Sequence, residues 1–286
     1  MDKKLLLLLL LCGAMPWVYG MEHNQLVEPK KIGIFSTINK RNQQEDFFYH
    51  GIVDGGYLYA VCDGHYCHRV GEHDNDDRDG SLVSKFVAEN LHDYFQQTSG
   101  SIEERMKATF KALDEAEFVK NNGQCGSALA AVFIKDDTMH FAHVGDCRAI
   151  LECEGHVVYA TQDHKPGRTD ERYRIKAAQG MILGGRVNGF LSISRALGDY
   201  NLNKNIIISQ PDYEEIPLFK KRHKFLVLAS DGLWKFVSKE EVINLLKVKW
   251  SQGVYDMNLL AKMLGEFAVV RNSKDNITVM LVDLLS

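Results

Sequence analysis

Five acidic strings are spread over most of the chain: Glu45-Asp46, Asp63-Gly64-His65, Gly145-Asp146, Asp231-Gly232 and Asp275-Asn276. Carboxylates separated by this much sequence serve one purpose only if the fold gathers them. The usual purpose of gathered carboxylates is to hold hard divalent cations through oxygen. An Asp-Gly pair on its own is most often a turn, so the argument rests on the neighbours of these pairs and on their order.

The chain has 286 residues, enough for one large domain or two small ones. With 45% hydrophobic and 25% charged residues it has the composition of a soluble globular protein. It contains no internal repeat, low-complexity stretch or Pro-rich linker, with five Pro in all. One domain over residues 30–286 is expected. The formal net charge is −4; residues 1–20 contribute +1 through Asp2, Lys3 and Lys4, so the remainder carries −5. An acidic domain has no electrostatic footprint for nucleic acid, and that partner class is excluded.

Residues 1–20 read as a secretory signal peptide. Lys3 and Lys4 supply the positive start, an apolar run follows from Leu5, and Val18-Tyr19-Gly20 precede a cut at Met21. The run from Leu5 to Val18 is short of the roughly 20 residues that a bilayer span needs. Export is therefore expected, without a membrane span after cleavage; the alternative is an anchor formed by the uncleaved segment. Cys12 is poorly placed for lipid attachment, because Leu11 precedes it where a small residue is wanted. The other cysteines, Cys62, Cys67, Cys125, Cys147 and Cys153, are odd in number and contain no Cys-x-x-Cys. That pattern is neither a disulfide framework nor a zinc pair, and reduced structural thiols are expected.

Apolar runs bounded by turn residues predict strands near Phe47–Val53, Tyr57–Asp63, Ser127–Ile134, Met139–Val144, Ala149–Cys153 and Val157–Thr161. Later strands are predicted near Tyr213–Pro217, Lys224–Ser230 and Ile277–Leu284. Asp54-Gly55-Gly56, Asp136-Asp137 and Glu154-Gly155 are the hairpin turns. Helical spacing puts Leu82, Phe86, Val87, Leu91 and Phe95 on one face, then Ile102, Met106, Phe110, Leu113 and Phe118 on another. A second pair follows Val242, Leu245 and Leu246, then Leu259, Leu260, Met263, Leu264 and Phe267, and Ser238 with Glu241 forms a capping box. Hairpins followed by helix pairs imply antiparallel sheets covered by helices, an α+β layering.

Taken in order, the acidic strings and their neighbours resemble the metal-dependent protein serine/threonine phosphatases of type 2C. The matching residues are Arg41-Asn-Gln-Gln-Glu45-Asp46, Val61-Cys-Asp63-Gly64-His65, Gly126-Ser127-Ala128, Val144-Gly145-Asp146-Cys-Arg148-Ala149 and Asp163-His164-Lys165-Pro166. The longest runs from Gly184-Gly185-Arg186 to Ser194-Arg195-Ala196-Leu197-Gly198-Asp199; Ala229-Ser-Asp231-Gly232-Leu-Trp234 and Ser273-Lys-Asp275-Asn276-Ile-Thr278 complete the series. The resemblance extends from about Gly33 to Asp283. It implies a four-layer α-β-β-α sandwich, two antiparallel sheets flanked by helix pairs.

It also implies a site. Asp63 would bridge two Mg²⁺ or Mn²⁺ ions, with Glu45 and the Gly64 carbonyl at one and Asp231 and Asp275 at the other, while Asp46 would hold metal-bound waters. Two ions about 4 Å apart activate water and clamp the attacking and leaving oxygens of an in-line displacement. Arg41 would bind the phosphate as a bidentate fork, and His65 would be the general acid for the leaving oxygen. Arg186 would belong to a mobile flap between Thr169 and Gly189 and touch a phosphorylated protein substrate. His164 is expected to be structural. Asp63, followed by Gly64, is expected to end its strand on a turn. A monomer is expected.

Two departures from the family pattern stand out. Tyr66-Cys67-His68 follows Asp63-Gly64-His65 where glycines are usual. Lys235 replaces an Asp that, with the counterpart of Asp146, contributes to a weaker third metal site. An ammonium there opposes a cation, so the third site is in doubt and lower turnover is expected. Asn75, Asp77, Asp79 and Gly80 match the first half of an EF-hand loop, but the closing Glu position is Phe86. His65, His68 and His73 suggest a zinc cluster, but His68 and His73 have no fixed geometry, so none is expected.

The competing function is a catalytically weak or inactive pseudophosphatase that docks protein partners; Lys235 favours it and the intact Glu45, Asp63, Asp231 and Asp275 oppose it. No Cys is followed by Arg six positions later and no Gly-x-x-x-x-Gly-Lys-Ser/Thr string occurs, which excludes cysteine-based phosphatase and P-loop chemistry. If the leader is removed, N-terminal sequencing of exported protein begins near Met21; a full-length product retained in the cytosol refutes export.

Overall fold

Two successive residues at positive φ close each predicted hairpin: Asp54 and Gly55 (49° and 75°), Asp136 and Asp137 (49° and 57°), and Glu154 and Gly155 (51° and 85°). This is the type I′ geometry, whose twist matches that of the strands it joins. In the computed structural model, which describes residues 31–66, 79–219 and 221–285, these turns link β2 (Asp46–Val53) to β3 (Gly56–Tyr66), β4 (Cys125–Lys135) to β5 (Thr138–Val144) and β6 (Arg148–Cys153) to β7 (His156–Ala160). Residues 1–20, where the sequence predicts a signal peptide, Cys67, His68, His73 and residues 75–78 of the EF-hand-like stretch lie outside the described residues.

The strands form two antiparallel sheets. One has the order β11 (Asp212–Pro217), β5, β4, β3, β2, with the short β10 (Leu197–Gly198) beside β4. The other has the order β1 (Ile32–Thr37), β13 (Ile277–Asp283), β12 (His223–Ala229), β6, β7. Helices α1 (Ser81–Gln97) and α2 (Ile102–Glu115) cover the first sheet; α6 (Lys239–Ser251) and α7 (Met257–Val270) cover the second.

Three apolar cores separate the four layers, and alternation along β3 shows how one strand serves two of them. Tyr59 and Val61 enter the core between the sheets with Leu226, Leu228 and Met280. Leu58, Ala60 and Cys62 point the other way, to Val87, Leu91, Phe95 and Phe110 of α1 and α2. The third core packs Val227, Val279 and Leu281 against Leu246, Leu260 and Leu264 of α6 and α7. Period-two alternation with both faces covered by protein accounts for the nearly unbroken apolar run of β4, buried from Cys125 to Ile134.

One helix departs from expectation and one strand was not foreseen. The helix starting at Ile102 does not reach Phe118: the backbone turns extended at Ala116 (ψ 140°), and Phe118 sits on the short α3 (Glu117–Asn121). Its ring stacks on Phe86 at 5.0 Å, so an aromatic contact replaces helical continuity. Strand β1, unforeseen because Ile32–Thr37 is a short run interrupted by Gly33, forms because β13 offers it a six-residue antiparallel register. Cys62, Cys125 and Cys147 are buried free thiols, and Cys153 is buried as well. Among the described residues, no helix is long and apolar enough to cross a membrane.

Gly33 is where α7 meets the sheet. A Cβ there would lie 1.9 Å from the Met257 carbonyl oxygen, and the obstacle is backbone. Gly33→Ala is expected to cost about 2–3 kcal/mol or more by levering α7 off β1, read as a lower denaturation midpoint with an unchanged m-value; an unchanged midpoint would contradict this account of the contact.

Candidate metal centre and active site

The β2–β3 register sets Asp46 opposite Asp63. Asp63 lies two and four residues beyond Val61 and Tyr59, and so shares their face, which looks toward the second sheet. Asp146 stands just after β5, Asp231 just after β12 and Asp275 just before β13. Carboxylates from both sheets thus converge at one end of the sandwich, and one oxygen each from Asp63, Asp146 and Asp231 lies within 4.8 Å of the others.

Asp63-Gly64 is not the end of a strand. β3 continues to Tyr66, with Gly64 opposite Ser127 and His65 opposite Gly126, because β4 keeps offering partners. Gly64 is needed for space rather than for a turn: a Cβ would lie 2.4 Å from Ser84 Oγ, 2.5 Å from the Gly80 carbonyl and 2.8 Å from the Glu45 carbonyl. Its N–H donates to that Glu45 carbonyl at 2.9 Å. Glu45 Oε1 in turn accepts from the Gly80 N–H at 2.9 Å, which ties it to the start of α1.

Asn276, absent from the sequence-derived site, staples the segment that carries Arg41 and Glu45. Its side-chain oxygen accepts from the Glu45 N–H at 2.8 Å, and its amide donates to the Ile38 and Gln43 carbonyls, each at 3.0 Å. Arg41, half-exposed, reaches Asp275 at 2.8 Å. Ser230, also unforeseen, donates to buried Asp46 at 2.6 Å. Both stood inside recognisable strings, so adjacency to Asp231 and Asp275 was the available signal.

His65 Nε2 lies 2.9 and 3.1 Å from the two carboxylate oxygens of Asp199. Burial opposes protonation of the imidazole, but the Asp199 charge and hydrogen bond prevail and hold its pKa above the ordinary value. Arg186 sits apart on the hairpin of β8 (Ile182–Leu183) and β9 (Arg186–Val187), exposed, with its guanidinium on the Phe190 carbonyl at 2.6 Å. The segment before that hairpin is helical, α4 (Thr169–Ala177).

A model of the protein phosphatase 2C family matches residues 36–277. A rice protein named probable protein phosphatase 2C 45 is 33% identical over 267 residues, covering 88% of this chain and 87% of that protein. The chain belongs to the protein phosphatase 2C family. The Arabidopsis thaliana probable protein phosphatase 2C 59 is likewise 33% identical, over 89% of this chain and 79% of its own length. A solved serine-threonine phosphatase 2C from Toxoplasma gondii superposes with a TM-score of 0.72 at 22% identity, covering 88% and 94% of the two chains. A C. elegans sex determining protein gives a TM-score of 0.77 at 24% identity over 89% and 64%. The last two establish the shared fold.

Within this phosphatase 2C chain, the departure at Lys235 has a defined geometry. Its ammonium lies 2.5 Å from Asp231 and 3.8 Å from Asp275. Lys165, from the Asp163-His164-Lys165-Pro166 string, pairs with Asp146. Burial disfavours ionised Asp146, yet Lys165 and Lys235 bring its pKa below the usual range. The others move up. Burial and the charges of Asp46 and Asp231 hold Asp63 well above the ordinary value. Burial and neighbouring carboxylates push Asp46 and Asp231 to about 7, against the Ser230 hydrogen bond and Lys235 respectively. An all-oxygen donor set whose members resist ionising together fits hard divalent cations.

A second cluster, His143, His164 and Asp212, has a different occupation. Asp212 pairs with Arg195 and Arg168, each at 3.0 Å, and His164 stacks on His143 at 4.6 Å. Two guanidiniums already neutralise the carboxylate there, so the group is an ion-pair network in which His164 is fully buried, its Nε2 3.2 Å from Asp212.

A cation taken up by this cluster would have to displace protons from Asp46, Asp63 and Asp231, whose folded pKa values stand above their free values. Well below about pH 4 all three are protonated with or without the fold, whereas in the metal-free protein Asp46 and Asp231 resist ionising up to about pH 7 and Asp63 also resists it well above its free value. The rise in Tm produced by saturating Mn²⁺ over EDTA is therefore expected to grow from about pH 5.5 to about pH 8. Taking the difference at each pH removes the acid destabilisation from buried His143 and His223; a pH-independent rise would refute the assignment.

Proposed function

We propose that this chain hydrolyses phosphoserine and phosphothreonine in proteins by direct attack of water on phosphorus. The observation carrying this reading is the buried carboxylate cluster at the joint of two sheets, with Arg41 at its rim and His65 beside it. Glu45, Asp63, the Gly64 carbonyl, Asp231 and Asp275 would hold two Mg²⁺ or Mn²⁺ ions, with Asp46 behind them. When bound, such ions supply Lewis acidity, which makes water nucleophilic near neutral pH and offsets charge on a transferring phosphoryl group.

The chain's own groups do the rest. The Arg41 guanidinium grips two phosphate oxygens and orients phosphorus. His65 gives a proton to the serine or threonine oxygen as it leaves, so that an alkoxide is never released. Asp46 accepts hydrogen bonds behind the cluster. Asp146, already paired with Lys165, and Lys235, seated on Asp231, leave little call for a third ion. Arg186 contacts the protein substrate from its hairpin. The protein acts as an exported monomer, its leader removed. A docking-only role is not favoured, since Glu45, Asp63, Asp231 and Asp275 are all present.

Residues 21–286 are expected to release phosphate from a phosphothreonine peptide with Mn²⁺ or Mg²⁺, to be silent in EDTA, and to lose at least about 100-fold in Asp63→Ala. A folded, metal-binding chain with no activity would sink the reading.

A further inference from the structure

The string Ser194 to Asp199 is built into the fold residue by residue. The Ser194 N–H donates to the His164 carbonyl at 2.8 Å. Arg195 bridges Glu171, at 2.6 Å, and Asp212, at 3.0 Å. Leu197 and Gly198 pair with Ser127 and Gly126 of β4. Gly198 has φ +84°, and a Cβ there would stand 2.4 Å from the Cys125 carbonyl. Asp114 braces this bend, accepting from the Gly198 N–H at 2.8 Å and from Lys204 at 3.0 Å.

What the bend delivers is Asp199. It is fully buried and held at φ +54°, a left-handed conformation that a non-glycine residue adopts at a cost. Its own N–H is fixed to the Cys125 carbonyl at 2.9 Å, and its carboxylate meets His65 Nε2. The opposite strand is cleared for that contact. A Cβ on Gly126 would lie 2.3 Å from Asp199 Oδ2 and 2.5 Å from His65 Nε2, so a side chain there would part the pair. Strain, burial and a cleared space thus serve a single hydrogen bond.

We propose that Asp199 is the positioning residue for His65: it accepts the Nε2–H and fixes the ring, which leaves Nδ1 as the nitrogen that meets the leaving oxygen. This rests on the phosphatase reading above. As water oxygen bonds to phosphorus and the bond to the serine or threonine oxygen breaks, the departing electron pair takes the proton from Nδ1. The water's proton passes to solvent. The ring ends neutral with Nε2–H still on Asp199, which itself gains no proton.

Asp199→Asn keeps size and an acceptor but removes the charge. With Mn²⁺, kcat on a phosphothreonine peptide is expected to fall about 100-fold with KM within about 2-fold. Activity on 4-nitrophenyl phosphate, whose leaving group departs without a proton, is expected to stay within about 3-fold of the unaltered chain. In a His65→Ala background, Asp199→Asn should add no further loss. Equal losses on both substrates, or a loss that adds to His65→Ala, overturn the proposal in favour of a structural role. Nitrogen NMR of the metal-free full chain, with His65 assigned by its disappearance in His65→Ala, is expected to find the neutral ring as the Nε2–H tautomer. The Nδ1–H tautomer overturns the proposal. That tautomer is read without turnover, so loss of this inference and loss of the phosphatase reading are told apart.

Discussion

Mutual repulsion among buried carboxylates is the constraint around which this molecule is arranged. Asp46, Asp63, Asp146 and Asp231 stand at one end of a two-sheet sandwich, supplied by strands that are far apart in sequence. Gathering them opposes the hydrophobic packing that brings the sheets together, because burial penalises each charge and each charge penalises the next. The three apolar cores must be extensive enough to carry that penalty. A cation held among them would turn the cluster from a liability into a site.

The chain supplies part of that positive charge itself. Lys165 pairs with Asp146, Lys235 with Asp231, and Arg41 with Asp275. The three are not equivalent. Arg41 is half-exposed at the rim, where a guanidinium can exchange a carboxylate for a phosphate without moving far. Lys165 and Lys235 sit on aspartates more deeply placed, and the depressed pKa of Asp146 records their joint field. Lys235 opposes a cation as its charge requires, and it also balances the cluster from within.

Backbone geometry does as much as charge. Gly64 of β3 and Gly126 of β4 stand on adjacent rungs of the ladder, and each lacks the room for a Cβ, which would strike Ser84 and the Glu45 carbonyl at one and Asp199 and His65 at the other. Asn276 holds the segment bearing Glu45 with three hydrogen bonds, and Ser230 fixes Asp46. These uncharged residues set the distances at which the charged ones act.

Much of this was legible in the chain itself. Alternating and continuous apolar runs specify the strands, positive-φ dipeptides such as Asp54-Gly55 specify the hairpins, and ordered strings around Asp63, Asp231 and Asp275 specify the family. Those signals are local, and period and turn chemistry act over a few residues. Tertiary structure decided what depends on contacts between distant segments: that β3 runs through Asp63 to Tyr66, that the helix starting at Ile102 breaks before Phe118, that Lys235 settles on Asp231, and that Asp199 reaches His65 across 134 positions. A carboxylate's sequence neighbours identify it as a candidate, but its partner is chosen by strand register and by the space a missing Cβ leaves, and neither is written in a local pattern.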